Sequence, residues 1–274
     1  VVNKEHIREK AFELGAELVG FAPVSRWREE GGLPEQYHPD RIWHKARTVI
    51  SLALPVWLPV VETQPSAWGR DQYGIVNSLL DEIAYRLAAF LNRCGIASIN
   101  IGRDGYGDID ALIRKPAAAF SHVWAAHYAG IGKVGWNHTL LTRQYGPRVR
   151  LVSLLSSIET EGDPLIDEEL CLRCFLCREI CPVDAFSGRK ETYAAMDRVT
   201  CATNSKRLRS SFRNPCGFCI KVCPVGEDRK LFGSSDVRKY LRERDYDASV
   251  ADRREFDGWR HVRGHGGFPL EEDE

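Results

Sequence analysis

A chain of 274 residues with 43% hydrophobic content is long enough for one large domain, or for a medium domain carrying a smaller module, around a real core. Lysine plus arginine and aspartate plus glutamate balance at 38 each, so no global field draws the chain onto nucleic acid or an anionic membrane, and such a partner would need a local basic patch. No apolar run approaches the ~18 residues of a membrane span. The opening residues, 1–15, are charged and amphipathic, unlike a secretory signal, so no membrane contact is expected and the expected compartment is the cytoplasm.

Residues 4–14 place Ile7, Ala11, Phe12 and Leu14 at helical spacing, with Gly15 as a stop. Residues 17–22 and 48–54 are short apolar runs that read as buried strands, the second closed by Pro55. Over residues 75–91 the positions Ile75, Leu79, Ile83, Leu87, Phe90 and Leu91 make a helical stripe that ends before Gly95. Cys94 falls on that stripe and is expected to be a buried structural thiol. Residues 97–101 and 148–156 read as further strands. The alternation implies a sheet layered with helices, its strands parallel or antiparallel. An acidic stretch, 159–169, then leads into the cysteines. The expected units are therefore 1–157, an α/β domain; 158–233, a cysteine module; and 234–274, a tail. Tyr240, Tyr246, Phe256, Trp259 and Phe268 predict that the tail packs back on the body.

Eight of the nine cysteines lie between positions 171 and 223. A disulfide framework suits short secreted chains rather than this composition. The run Cys171-x2-Cys174-x2-Cys177-x3-Cys181-Pro182 is the one by which a bacterial ferredoxin-type loop wraps a [4Fe–4S] cubane, three thiolates on one cluster and the fourth crossing to another. The two-residue gaps aim three thiolates at neighbouring irons, and the three-residue gap launches the fourth from a short helix that Pro182 stops. Zinc is the competing ion, but its sites usually show two separate Cys-x2-Cys knuckles. In the second half, Cys201 precedes Cys216-x2-Cys219-x3-Cys223-Pro224 across a fourteen-residue insert. Crossing assigns Cys171, Cys174, Cys177 and Cys223 to one cluster and Cys201, Cys216, Cys219 and Cys181 to the other. The insert carries Lys206, Arg207, Arg209 and Arg213, which would raise a cluster's potential, dock an acidic donor, or simply form a solvated loop face. Two clusters in one module make a short wire for single electrons. The domain upstream should hold the acceptor or a surface that binds one.

Residues 120–151, FSHVWAAHYAGIGKVGWNHTLLTRQYGPRVRL, followed by SLLSSIET and the cysteine run, resemble epoxyqueuosine reductases and, more distantly, reductive dehalogenases. The first helix, ELVGFAPV and HKARTVISLALPV extend the likeness over most of residues 4–227. The resemblance implies a nitroreductase-like α/β domain followed by a bacterial ferredoxin-like 2[4Fe–4S] module, with cobalamin in the first domain reduced by the clusters. It also makes the glycine loop a candidate cobalamin site. Gly130, Gly132 and Gly135 would allow close approach to a large flat ligand, and Trp136, Asn137, His138 and Thr142 would contact it, Asn137 and Thr142 through its amides. The residues by themselves also fit a helix C-cap at Gly130 followed by a tight turn.

Some features depart from the family. Its reductases of queuosine precursors carry a Val-Asp-Ser-Ala-Pro-like segment whose aspartate donates a proton, and residues 113–117 here read Ile-Arg-Lys-Pro-Ala. The nearby polar turn offers replacements: Tyr106 first, with Arg103 or Arg114 to lower its pKa, then Asp108 and Asp110, against the alternative of a solvated surface turn. The longer tRNA-acting members continue into helical repeats. With zero net charge this makes tRNA an unexpected substrate and a small molecule the expected one. The opening residues show no twin-arginine motif, so the exported role of respiratory dehalogenases is not expected. An external low-potential donor of ferredoxin or flavodoxin type is expected. His122 and His127 lie too far around a helix to form a metal pair, His138 could reach a ligand at the glycine loop, and His261 and His265 either fold over the site or are solvated. The function expected is an iron–sulfur oxidoreductase, a cobalamin-dependent reductase; the alternative is an electron-transfer or reductive-activation protein without its own corrinoid. The first requires a closed cavity between glycine loop and cysteine module, the second an exposed cluster edge and no cavity.

Overall fold

The computed structural model describes residues 2–103 and 107–243. Four strands, β1 (Leu18–Pro23), β2 (Thr48–Pro55), β3 (Ser98–Ile101) and β4 (Val149–Ser156), form one sheet in the order β1-β2-β4-β3. Every neighbouring pair is antiparallel, which settles the orientation that the sequence left open. One face buries Phe21, Ile50, Leu52, Val152 and Leu154 beneath two helices, α1 (Lys4–Glu13) and α2 (Ala67–Arg93). The other buries Ala22, Val49 and Leu155 with Trp27 and Tyr128. Because both faces are covered, β2 and β4 read as continuous apolar runs and not as alternating ones.

Two shorter helices, α3 (Ile109–Arg114) and α4 (His122–Tyr128), follow β3. Helix α4 lies over a column of small residues: Gly20 stands opposite Ser51, and Ser51 opposite Ser153. A Cβ on Gly20 would overlap the Ala129 carbonyl oxygen at the end of α4, so only glycine lets the helix dock this closely.

Helix α2 starts eight residues before the expected Ile75. Its cap is Ser66, whose Oγ accepts the Gly69 N–H at 3.0 Å. Gly69 and Gly74 hide this first stretch from a periodicity argument, although Gly69 is needed where the helix packs on the Gln64 side chain. The phase also differs. Val76, Leu80, Ala84 and Ala88 turn into the core alongside Ile83 and Leu87, while Ile75 and Leu79 stay 54% and 46% exposed. Cys94 is exposed and not buried as expected, because α2 ends at Arg93 and Cys94 is the capping residue beyond it.

The cysteine region contains α5 (Leu176–Glu179), α6 (Arg198–Ser210), α7 (Phe218–Lys221) and α8 (Asp228–Leu231). Helices α5 and α7 are internal copies: each is launched by a residue in the left-handed region, Phe175 (φ 59°) and Gly217 (φ 71°), and the two pack together. The basic insert is not a loop but α6, with Asp197 accepting the Thr200 N–H at 2.9 Å as its N-cap. A buried joint ties this region to the sheet. Arg148, just before β4, meets the Asp228 carboxylate through two hydrogen bonds of 2.6 Å and donates to the Val225 carbonyl at 2.6 Å. Beyond α8, Tyr240 is buried and hydrogen-bonds to Glu62 and to Arg229, so residues 234–241 lie on the body. Tyr246, Phe256, Trp259, Phe268, His261 and His265 lie outside the described residues, and so does Tyr106. No helix among the described residues is long and apolar enough to cross a membrane.

Candidate redox centre and the adjoining cavity

All nine cysteines are free thiols. Cys171 and Cys174 come from the loop that enters α5, Cys177 from α5 itself and Cys181 from just beyond its end. Cys216, Cys219 and Cys223 repeat this around α7, and Cys201 enters from the first turn of α6. Burial, then the neighbouring Cys174, Cys223 and Cys171, push the Cys177 thiol up to about 12. Burial also lifts Cys216 to about 11 against the Phe218 N–H, with Cys201 and Cys181 adding to the rise. Cys223 reaches about 11 through burial, which outweighs the Val225 N–H and Arg148. Burial also raises the Cys219 thiol well above its ordinary value, with Cys216, Cys201, Cys177 and Cys181 adding to the rise. Thiols so placed stay protonated near neutral pH unless a neighbouring positive charge favours the thiolate. Among the described residues, no three His, Cys, Asp or Glu side chains converge as ligands of a single ion.

The thiols differ in exposure. Cys174 reaches solvent beside the exposed Leu172, whereas Cys181 is buried. Cys201 lies in the wall of a cavity of about 1140 Å³ between α2, the 107–112 segment and α6. This exceeds the ~300–1,000 Å³ of most small-molecule sites. Ile75 and Leu79 supply its apolar wall, which explains two large side chains left outside the core. The Asn214 Oδ1 is buried in the same wall with no hydrogen-bond partner among the described residues. Arg70, Arg198 and Arg209 line it together with Asp71, Glu82 and Asp108, and Arg70 pairs with Asp71 at 3.8 Å.

None of the seven glycine-loop candidates lines this cavity. The space between this loop and the cysteines is about 100 Å³, with Trp136 and Cys171 in its wall, and the larger cavity lies apart from it. Gly130 (φ 71°) lies where a Cβ would overlap the Pro164 carbonyl, and Gly132 where one would overlap that of Leu141. A hairpin of Lys133–Val134 with Leu140–Leu141 follows, and a Cβ on Gly135 would crowd Leu141 at 3.0 Å. In its turn the Asn137 Oδ1 accepts from the Thr139 Oγ1 at 2.7 Å, and His138 Nε2 lies 2.8 Å from the Ala194 carbonyl. Thr142 Oγ1 accepts the Tyr145 N–H at 3.0 Å. Asn137, His138 and Thr142 thus each have a hydrogen-bond partner within the chain. Trp136, at the tip, is driven into the cysteine region between Phe175 and Phe186.

Of the described acids in the polar turn, Asp108 lines the cavity and caps α3, its Oδ1 accepting the Ala111 N–H at 2.6 Å. Asp110 instead pairs with Lys206 of α6, whose hydrogen bond holds the carboxyl below its usual value, the wrong direction for a group that must keep a proton. His122 bridges Ser153 Oγ (2.9 Å) and the Gly102 carbonyl (3.2 Å), and His127 Nδ1 lies 3.0 Å from the Gly132 carbonyl, so both hold backbone in place. Sequence reasoning missed Arg148 and Asn214, which stand in no periodic pattern. It misassigned Ile75 and Leu79, where the signal existed: two neighbouring apolar stripes on one helix are wider than a single core face needs.

Fold and site together define an α/β protein with a duplicated cysteine loop packed beside a large cavity. No family model matches the chain. An epoxyqueuosine reductase of Pseudomonas aeruginosa is 30% identical, with 85% of this chain and 72% of that protein covered. A tetrachloroethene reductive dehalogenase of Desulfitobacterium hafniense is 26% identical over 209 residues, 69% of this chain and 35% of the relative. The chain belongs to the family of epoxyqueuosine reductases and reductive dehalogenases, as a diverged member. It spans about a third of the length of the dehalogenases that it matches. A solved catabolic reductive dehalogenase in complex with 3-bromo-4-hydroxybenzoic acid shares the fold, with a TM-score of 0.63 at 20% identity over 88% of this chain and 35% of that one.

Proposed function

We propose that the chain is an iron–sulfur reductase whose two [4Fe–4S] clusters feed single electrons to a corrinoid in the cavity beside Cys201. Cys171, Cys174, Cys177 and Cys223 would hold one cluster, and Cys181, Cys201, Cys216 and Cys219 the other. The observation that carries the reading is the double position of Cys201, which neighbours Cys181 in one thiol group and also forms part of the cavity wall. A cubane suits such groups because each thiolate binds a different iron, so four sulfurs need not close on one point as they do around a zinc ion. Residues 1–157 would be the nitroreductase-like domain, 158–233 the ferredoxin-like module, and 234–274 a tail laid on both.

The cavity fits a corrinoid in three respects. Ile75 and Leu79 offer apolar contact to the macrocycle, Asn214 Oδ1 an acceptor for a peripheral amide, and Arg70, Arg198 and Arg209 positive charge for the phosphodiester of its nucleotide loop. When bound, cobalamin supplies the metal centre at which a substrate carbon is reduced. The chain orients it, excludes water and delivers protons, with Tyr106 and Asp108 the proton-donor candidates and Asp110 set apart by Lys206. Electrons would enter at the exposed Cys174 edge from a ferredoxin- or flavodoxin-type donor.

The expectation against tRNA, which rested on zero net charge and the missing helical repeats, is not supported: relatives of the chain are epoxyqueuosine reductases, which act on tRNA. The substrate proposed here is therefore a small molecule or a modified nucleoside small enough for the cavity. Anaerobically purified protein should contain about eight irons per chain. Titration with cobalamin should give a saturable spectral change. Full iron without that change would leave an electron-transfer protein, and a chain that takes up no iron would overturn the proposal.

A further inference from the structure

Trp136 is 2% exposed, and its indole Nε1 is buried with no hydrogen-bond partner among the described residues. Native proteins rarely leave a buried donor unmet, since its lost hydration is not repaid. Several features of the loop fix where this ring sits. Gly130 and Gly132 let the hairpin close, the Trp136 carbonyl accepts the Ala194 N–H at 2.8 Å, and His138 holds the Ala194 carbonyl from the other side of the turn. The ring stands edge-on to Phe175, with centroids 5.0 Å apart, and Phe175 lies between Cys174 and Cys177. Trp136 also shares a space of about 100 Å³ with Cys171. Apolar contacts hold the ring on its remaining sides, so packing alone would be served as well by phenylalanine.

We infer that the Trp136 N–H donates to a sulfur of the cluster bound by Cys171, Cys174, Cys177 and Cys223, and so raises that cluster's reduction potential. The inference rests on the iron–sulfur reading above. An N–H···S bond strengthens as charge builds on the cluster, so it favours the reduced form, and hydrogen bonds to sulfur are among the main determinants of such potentials. Trp136 is thus a positioning and tuning residue. It would set the potential of the cluster with the exposed Cys174 edge independently of the one beside the cavity.

The test is a redox titration of the full chain with both clusters loaded, followed by electron paramagnetic resonance and normalised to iron content. In Trp136→Phe one of the two midpoint potentials should move to a more negative value and the other should stay. Should the variant fail to hold its iron, the wild-type chain grown with 15N-indole decides: the reduced cluster should show a weak 15N coupling in pulsed resonance. Wild-type protein without iron overturns both this inference and the reading beneath it. Full iron with unchanged potentials, a shift confined to the other cluster, or no 15N coupling overturns this inference alone.

Discussion

At the scale of single residues, the thiols carry the sharpest consequences. Cys201→Ser should remove about half the iron, because the other group of four remains whole, whereas Cys94→Ser should remove none, since Cys94 is exposed at the end of α2. Iron analysis of the two variants side by side checks this. A second residue governs the acid limit. Asp163 is partly desolvated, which alone would raise its pKa, but hydrogen bonds from Lys4 (2.6 Å) and Arg8 (2.7 Å) outweigh this and hold it below the ordinary carboxylate value. A carboxyl whose pKa is lowered on folding contributes stability that is complete above its unfolded pKa of about 3.9 and lost as pH falls through the folded value. Asp163→Asn should therefore flatten the loss of stability below about pH 4. Denaturation midpoints measured across that range would show the same slope in both proteins if the pairing were inert.

Among the elements, the junction between β4 and the cysteine region is the most demanding. Gly146 has φ 52°, and a Cβ there would overlap the Val225 carbonyl oxygen. Gly146→Ala should cost roughly 1–3 kcal/mol from backbone strain alone. Asp228→Asn should cost more, about 3–5 kcal/mol, because it leaves Arg148, which is 0% exposed, as an uncompensated buried charge. Urea denaturation of the loaded protein measures both, and a pair of wild-type midpoints would disprove the joint. The YGPRVRL segment was legible as a strand from its branched residues. That its glycine and arginine serve the partner module could not be read, since the other half of the contact lies some eighty residues away.

Considered as a whole molecule, the protein sets its duplicated cysteine loop beside a large cavity, and the wall of that cavity should be separable from the core. Leu79→Glu changes a side chain that is 46% exposed, so the unfolding midpoint should stay close to that of the wild type. Cobalamin affinity should fall ~10-fold or more, from the loss of about 1.5–3 kcal/mol of apolar contact and the burial of a charge. Parallel spectral titration and thermal unfolding check it: equal affinity in the two proteins would move the corrinoid elsewhere.

What the chain determined locally was readable. Strand runs, the first helix and the duplicated cysteine spacing depend on neighbours a few positions apart, and the glycines of 130–135 announced a tight turn. The meaning of that turn was decided only by tertiary structure. Whether its glycines face a ligand or the carbonyls of Pro164 and Leu141 depends on which distant backbone arrives there. The phase of α2 was decided in the same way: the sheet selects Val76 and Leu80 for the core, and α6 closes the space over Ile75 and Leu79. Periodicity counts apolar residues but carries no sign for the surface that receives them. That sign comes from long-range packing, and here it separates a core side chain from a cavity wall.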